Sequence, residues 1–263
     1  MEIVSDRALR EIVVARPLPL KGVRNLRDLG GYPFTRPDGS TGVTASHAFL
    51  RGPALGGLKR ADMAYLRRYG LRRVIDVRSN FELRYWPDPY RRRHDGVTYT
   101  HIPLMDQLNS SGFMGTLPDC MFDVYRDLLD ESAPSLGAVM AALDGEGCAL
   151  FHCRAGKDRT GVIAMLLLEL AGVDAEHIVA DYAATEGYMG WSLRAQAAVV
   201  TFVLRKRIPR CLFESAPIEM ERTLAHLHGR YGSARAYLLG PACCSEELVD
   251  RLAARLRGDE RRA

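Results

Sequence analysis

A short apolar strand, a glycine-containing polar loop and a long apolar helix follow one another between residues 147 and 171 of this 263-residue chain. Residues 147–151 have the composition of a buried strand, and residues 161–171 are apolar on nearly every helical face. Such a strand and such a helix must be covered on both sides by the rest of the chain. The unit therefore predicts a central position in a layered α/β fold.

Strand patterns also precede this unit. Residues 74–78 and 97–102 are short runs that predict buried strands, and residues 119–143 predict a helical region before the strand at 147–151. Further upstream, Pro37-Asp38-Gly39 lies between two extended segments and predicts a hairpin turn. Strands separated by helices favour parallel pairing, so a mainly parallel mixed sheet is expected.

The second half of the chain is predicted to be almost entirely helical. Beyond the helix at 161–171, helical patterns cover residues 174–187, 191–207, 218–231 and 245–256. We therefore predict an α/β fold in which helices flank a central sheet and dominate the carboxy-terminal half. The length allows a single core, so we predict one domain at residues 22–257 after an extension at residues 1–21.

Composition limits the functional classes. The net charge is +4, from 36 basic and 32 acidic residues, which favours anionic ligands, and no nucleic-acid partner is expected. The first twenty residues contain no apolar signal segment, and the longest apolar stretch is shorter than the about 20 residues that cross a bilayer. Because the six cysteines lack paired CxxC spacing, a reducing cytoplasm is expected. Unconventional secretion and the oligomeric state stay open.

A cysteine followed six positions later by an arginine occurs three times: Cys120 with Arg126, Cys148 with Arg154, and Cys153 with Arg159. The spacing alone is weak evidence, since all but four of the 36 basic residues are arginine. Cys120 begins a helical-looking segment without glycine, and Cys148 lies inside the predicted strand. Only Cys153 follows a strand, precedes a helix and has a glycine in between.

A loop in this position can bind a tetrahedral dianion. Successive backbone N–H groups can point inward, and the dipole of the following helix adds partial positive charge. The same field stabilises a thiolate at Cys153. Arg159, one helical turn further, can bind two phosphoryl oxygens at once. The loop therefore predicts a phosphate site with a reactive thiol.

Residues 152–161 spell His-Cys-Arg-Ala-Gly-Lys-Asp-Arg-Thr-Gly, which resembles the signature loop of the cysteine-dependent protein tyrosine phosphatase superfamily. The closest resemblance is to its bacterial branch of tyrosine and lipid phosphatases, some with dual or triple specificity. Other segments are similar to that branch as well: residues 25–32, residues 74–79 with Glu82, Asp181-Tyr182, residues 230–232 and the closing helix at residues 246–256. The resemblance covers about residues 22–256 and implies a tyrosine-phosphatase-like fold.

The resemblance also implies roles for the loop residues. Cys153 would be the nucleophile that forms a cysteinyl-phosphate, Arg159 would bind phosphate, and neither metal nor cofactor would be needed. The intervening loop would line the phosphate site: Arg154, Ala155, Gly156 and Lys157. His152 would orient the loop, with a plain core histidine as the alternative. Thr160 would donate its hydroxyl to the thiolate or leaving group, with an ordinary helix-start residue as the alternative.

A general acid must protonate the leaving oxygen. Asp158, inside the loop, is the first candidate, and the resembled branch is thought to take its acid from this position. Asp76, at the end of a predicted strand, and Asp106 are the alternatives. Trp86-Pro87-Asp88 matches the acid tripeptide of larger tyrosine phosphatases, but it follows the wrong strand for that role.

The expected substrates are phosphotyrosine proteins, with phosphoinositides as a second class because Arg154 and Lys157 place two further cations at the loop. Phosphoserine and phosphothreonine stay open. Residues 191–208 are predicted to be a core helix, a lid over the site or a transient contact with a membrane surface. Rival functions are a phosphate-binding module and a thiol-dependent arsenate reductase or sulfurtransferase.

Overall fold

The computed structural model describes residue 12 and residues 14–92, 96–105, 120–204 and 214–259, with only the backbone described for residues 190–204. The described strands are β1 (Arg27–Asp28), β2 (Pro33–Thr35), β3 (Thr41–Val43), β4 (Phe49–Gly52), β5 (Leu71–Asp76), β6 (Thr98–His101) and β7 (Cys148–His152). β2 and β3 form the hairpin predicted around Pro37-Asp38-Gly39. The other strands form one sheet in the order β1-β4-β7-β5-β6.

The central strand of this sheet is β7, in agreement with the apolar run at residues 148–151, which needs cover on both faces. It pairs in parallel with β4 on one side and with β5 on the other, and every residue of β7 is buried. β6 continues the parallel arrangement, whereas β1 runs antiparallel to β4 at the edge. The predicted mainly parallel mixed sheet is therefore confirmed.

Helices cover both faces of the sheet. Their described ranges are α1 (Arg60–Arg68), α2 (Asn80–Tyr85), α3 (Pro89–Arg92), α4 (Met121–Glu131), α5 (Ala133–Leu143), α6 (Asp158–Ala171), α7 (Ala175–Leu204), α8 (Pro217–Tyr231), α9 (Ala234–Leu239) and α10 (Glu246–Arg257). Side chains of β7 alternate between the two faces: Leu150 packs with α1, while Phe151 packs in the larger core beneath α4–α6 and α8–α10. None of the described helices is long and apolar enough to span a membrane.

Two helix boundaries differ from the sequence predictions. The predicted break near residues 188–190 is wrong, because α7 continues through Gly187 and Gly190, each of which costs a helix only about 1 kcal/mol relative to alanine. The helical region at residues 119–143 is divided at Ser132, two residues before Pro134, which cannot donate a helical hydrogen bond. Because the side chains of residues 190–204 and the placement of residues 205–213 are not described, the lid at 191–208 stays a prediction.

Parallel pairing brings three loops to one edge of the sheet. The carboxyl ends of β4, β5 and β7 lie side by side, with Gly52 opposite His152 and Asp76 opposite His152. The segments that follow these strands are therefore neighbours although they are far apart in sequence. Open α/β sheets bind ligands at this edge.

Candidate active site

The loop between β7 and α6 turns its carbonyl groups outward. Arg154 O accepts the N–H of Ala54 at 3.0 Å, Ala155 O accepts the side-chain amide of Asn25 at 3.3 Å, and Gly156 O accepts Arg51 at 2.9 Å. In a trans peptide the C=O and the next N–H point in opposite directions. The N–H groups of residues 155–157 therefore face the interior of the loop, an arrangement of backbone amides that can accommodate an anion.

Gly156 is required by both conformation and space. Its φ is +70°, a region that side-chain-bearing residues rarely adopt, and an added Cβ would lie 2.7 Å from the carbonyl carbon of Gly52. The loop thus packs directly against the backbone that follows β4. This contact explains why the loop contains a glycine at that position.

Arg159 is anchored to Glu82 by two hydrogen bonds. Its Nη1 donates to Oε2 at 2.7 Å and its Nη2 to Oε1 at 3.0 Å. Glu82 is itself fixed because it forms a capping box with Ser79 at the start of α2. Burial by itself would raise the pKa of Glu82, but the Arg159 guanidinium lowers this pKa below its ordinary value. The carboxylate therefore stays charged in mild acid.

The predicted nucleophile lies beside this guanidinium. Cys153 directly follows the central strand β7 and is only 2% exposed. Burial alone would lower the pKa of Arg159, but the nearby Cys153 and Glu82 raise it above its ordinary value. Thr160, in the first turn of α6, is buried, and its hydroxyl has no hydrogen-bond partner among the described residues. Its hydrogen-bonding capacity is therefore unused in the part of the chain that the structure describes.

Asp158 is partly exposed at the start of α6, with 28% of its side chain accessible. Its Oδ1 accepts the hydroxyl of Tyr125 at 2.5 Å and lies 3.3 Å from Nζ of Lys157. Burial raises the pKa of Tyr125 well above its ordinary value, and the negative charge of Asp158 raises it further. The Tyr125 hydroxyl therefore keeps its proton. Among the described residues, no hydrogen bond reaches Asp158 Oδ2.

The two additional cations of the loop differ in position. Lys157 is completely buried, and its ammonium group donates to the carbonyl of Glu214 at 2.9 Å. Arg154 is exposed and its guanidinium stacks 4.2 Å from the centre of the Trp86 ring. A cavity of about 270 Å³ opens beside this stack, lined by Ala54, Gly56, Gly57, Arg78, Glu82, Trp86 and Arg154. A larger cavity of about 600 Å³, next to α10, is lined by none of the predicted site residues.

A buried charge network supports the loop from behind. Asp181 of α7 lies between Arg27 and Arg51, contacts both guanidinium groups, and accepts the Tyr32 hydroxyl at 2.9 Å. Although burial alone would raise it, these guanidinium groups lower the pKa of Asp181. Because Arg51 also donates a hydrogen bond to Gly156 O, the network connects α7 to the loop between β7 and α6.

Asp76 and His152 lie under the loop, in a second buried cluster with Arg78 and Asp88. Asp76 accepts Arg78 Nη2 at 2.6 Å and the Tyr99 hydroxyl at 2.9 Å, and it is fully buried. Burial would raise its pKa, but His152 and Arg78 lower it, so Asp76 is a poor proton donor. Carboxylate and imidazole atoms of Asp76, Asp88 and His152 lie within 4.8 Å of one another. Arg78, 3.7 Å from Asp88, already supplies the cation of this cluster.

Residues 153–157 form the loop between β7 and α6, but the ammonium group of Lys157 is buried against the carbonyl of Glu214. Asp106 lies outside the described residues. Four supporting residues were not predicted to belong to the site: Arg51, Asp88, Tyr125 and Tyr182, whose hydroxyl is 2.8 Å from that of Tyr125. The Glu82 anchor could have been found, because Ser79-Asn80-Phe81-Glu82 is a capping-box pattern directly after a strand.

Comparison with known proteins shows the family of this chain. The sequence model of the tyrosine phosphatase family matches residues 18–258. A tyrosine-protein phosphatase of Nostoc commune is 32% identical over 241 residues, covering 84% of this chain and 81% of that protein. A triple specificity protein phosphatase of Mycobacterium tuberculosis is 31% identical over 202 residues, covering 65% and 68%. A putative tyrosine-protein phosphatase of Cupriavidus necator is 32% identical over 168 residues, covering 61% and 59%.

Proposed function

The chain belongs to the tyrosine phosphatase family, and from that premise we propose that it hydrolyses phosphotyrosine in proteins through a cysteinyl-phosphate on Cys153. The observation that carries this proposal is the set of three outward carbonyl groups, at residues 154–156. Because they turn the following amides inward around Cys153, the loop can hold a phosphoryl dianion against a thiolate.

The first step transfers the phosphoryl group to sulfur. The Cys153 thiolate attacks phosphorus, the S–P bond forms, and the bond between phosphorus and the tyrosine oxygen breaks. The loop amides and Arg159 bind the equatorial oxygens as their charge shifts. In this proposal Asp158 gives its proton to the leaving oxygen, and Thr160 donates a hydrogen bond to the thiolate.

The second step returns the enzyme to its starting state. Asp158, now a carboxylate, accepts a proton from water while the water oxygen attacks phosphorus and the S–P bond breaks. The products are inorganic phosphate and the Cys153 thiolate. Tyr125 orients the Asp158 carboxyl through Oδ1, which leaves Oδ2 for the proton. Asp76 is not proposed as the acid, because Arg78 and Tyr99 hold it in a buried cluster.

Asp158→Asn is expected to lower kcat on a phosphotyrosine peptide by about 10²-fold, because the tyrosine oxygen then leaves unprotonated. The loss on para-nitrophenyl phosphate should be smaller, since para-nitrophenolate is a weaker base and needs less protonation. The measurement is the ratio of the two kcat losses, with Asp127→Asn on the surface of α4 as the matched control. A leaving-group-dependent loss in Asp106→Asn instead of Asp158→Asn would move the acid to Asp106.

The burial of Lys157 favours phosphotyrosine over phosphoinositides. Its ammonium group donates to Glu214, so of the two extra cations only Arg154 is exposed for a second phosphate. Cys153 is deeply placed, which favours a phosphoryl group carried on a long side chain. In the presence of a chelator, kcat/KM for a phosphotyrosine peptide should exceed those for a phosphoserine peptide and for phosphoinositide vesicles by about tenfold or more. Preferred hydrolysis of the vesicles would reverse this substrate assignment.

The rival functions have less support. A reductase would need a second thiol near Cys153, but Cys148 is buried in β7 and packs in the core with α1. Among the described residues, no disulfide joins the cysteines Cys120, Cys148, Cys153, Cys243 and Cys244. A phosphate-binding module would show no hydrolysis in the chelator assay.

A further inference from the structure

The segment at residues 86–88 lies against the phosphate loop but faces the two residues that flank Cys153. On one side the Trp86 ring stacks on Arg154, at 4.2 Å. On the other side Oδ2 of Asp88 lies 3.3 Å from Nε2 of His152. One short segment therefore contacts the residue before the nucleophile and the residue after it.

Asp88 is held rigidly for this contact. It is 1% exposed, and its Oδ1 accepts the N–H of Tyr90 at 2.9 Å. Arg78 fixes the same segment by donating to the carbonyl of Trp86 at 2.8 Å. Asp88 Oδ2 has no hydrogen-bond partner among the described residues, and neither has Nε2 of the fully buried His152. At 3.3 Å, each of these two atoms is the nearest group of opposite charge to the other when His152 is protonated.

Both ring nitrogens of His152 face oxygen atoms. Nδ1 lies 3.3 Å from the carbonyl of Cys153, and Nε2 lies 3.3 Å from Asp88 and 3.8 Å from Asp76. A carbonyl and a carboxylate can only accept, and an imidazole carries a proton on both nitrogens only as the imidazolium. The charges around His152 also favour the imidazolium, because Asp76 and Asp88 carry two negative charges and Arg78 supplies only one positive charge.

From these contacts we infer that Asp88 is a positioning residue of the phosphatase reaction, acting through His152. It holds the imidazolium so that Nδ1–H binds the carbonyl of Cys153, which fixes the peptide that carries the nucleophile and places a positive charge next to the thiolate. Because Asp88 acts through His152, it is a positioning residue and not a catalytic one. The inference rests on the proposed function, since it assigns a support to the same Cys153.

The groups that face His152 come from each neighbouring element. Asp76 lies at the end of β5 and Arg78 just after it, Asp88 precedes α3, and Tyr99 of β6 reaches the cluster through Asp76. Removing Asp88 leaves Asp76 neutralised by Arg78, so the imidazolium loses its nearest counter-charge. The thiolate should then form less readily.

The test is the pH dependence of Cys153 alkylation by iodoacetamide, measured together with steady-state kinetics on para-nitrophenyl phosphate. In Asp88→Ala we expect kcat to fall by about 10- to 100-fold with KM within about twofold, and the alkylation midpoint to rise by about one pH unit. Asp88→Asn keeps an oxygen acceptor for Nε2–H and should recover part of kcat. If Asp88→Ala does not fold, the same measurements on Asp88→Asn test the inference.

Asp62→Ala is the matched control, because Asp62 is also a buried carboxylate but accepts backbone N–H groups at the start of α1. It should lower the melting temperature without moving the alkylation midpoint. The inference is overturned if a folded Asp88 variant keeps the wild-type kcat and midpoint, or if Asp62→Ala shifts the midpoint equally. Activity that survives Cys153→Ser would instead overturn the proposed function itself.

Discussion

Cys153→Ser is expected to lower the turnover of a phosphotyrosine peptide by about 10⁴-fold or more, the largest effect of any single substitution in this protein. A serine hydroxyl has nearly the size of the thiol but is a far weaker acid, so the inward amides and Arg159 no longer hold an anionic nucleophile. The loop itself is unchanged, because its carbonyl groups are held by Ala54, Asn25 and Arg51. Substrate binding should therefore survive while hydrolysis is lost.

The measurement pairs kcat on the peptide with a titration of the non-hydrolysing variant by the same phosphopeptide. Cys120→Ser is the control, because Cys120 has the same six-residue spacing to an arginine but lies at the start of α4. It should keep kcat within about twofold. A Cys153→Ser enzyme with more than a tenth of the wild-type turnover, or an equal loss in Cys120→Ser, would refute the cysteinyl-phosphate mechanism.

The sequence was most informative where the structure depends on local order. The strand β7, the loop and α6 are consecutive, so the apolar runs predicted the strand and the helix, and Gly156 marked the turn between them. The central place of β7 followed because a strand that is apolar on both faces needs cover on both faces. The mainly parallel sheet followed from the alternation of strands and helices.

Long-range ion pairs could not be predicted in this way. Arg51 is 105 residues from the Gly156 carbonyl and 130 residues from Asp181, and Glu82 is 77 residues from Arg159. In a chain with so many arginines, no local pattern distinguishes a buried supporting guanidinium from a solvated one. These ion pairs form because β4 and β5 lie beside β7 in the folded sheet, and this adjacency is a property of the tertiary fold.

The burial of Lys157 shows a second limit. Its place in the motif indicates a cation for the substrate, yet the side chain turns inward to Glu214, which lies 57 residues away. Similarly, strand order argues against residues 86–88 as the acid tripeptide that they match, but the sequence does not predict the contact of Asp88 with His152. A motif fixes which residue types are present, whereas the packing of remote segments fixes where their side chains point.

Arg159→Lys is expected to lower kcat/KM by about 10³-fold, although the charge is kept. Glu82 occupies one edge of the guanidinium, formed by Nη1 and Nη2. Among the described residues nothing bonds to Nε, so the edge formed by Nε and the second proton of Nη2 is left for two phosphoryl oxygens. A lysine ammonium is a compact charge on a flexible stem and cannot reproduce two planar, bidentate contacts on adjacent edges.

Arg126→Lys is the matched control for this substitution, because Arg126 completes the Cys120 spacing but pairs with Asp123 and Asp127 at the surface of α4. Surface pairs contribute little, so its kcat/KM should stay within about twofold. A 10³-fold loss in kcat/KM corresponds to about 4 kcal/mol of transition-state stabilisation. The loss should appear in kcat as well as in KM, because the equatorial phosphoryl oxygens are bound most strongly by Arg159 during phosphoryl transfer. If Arg159→Lys raised KM alone, the guanidinium would serve binding only, and the loop amides would have to stabilise the transition state by themselves.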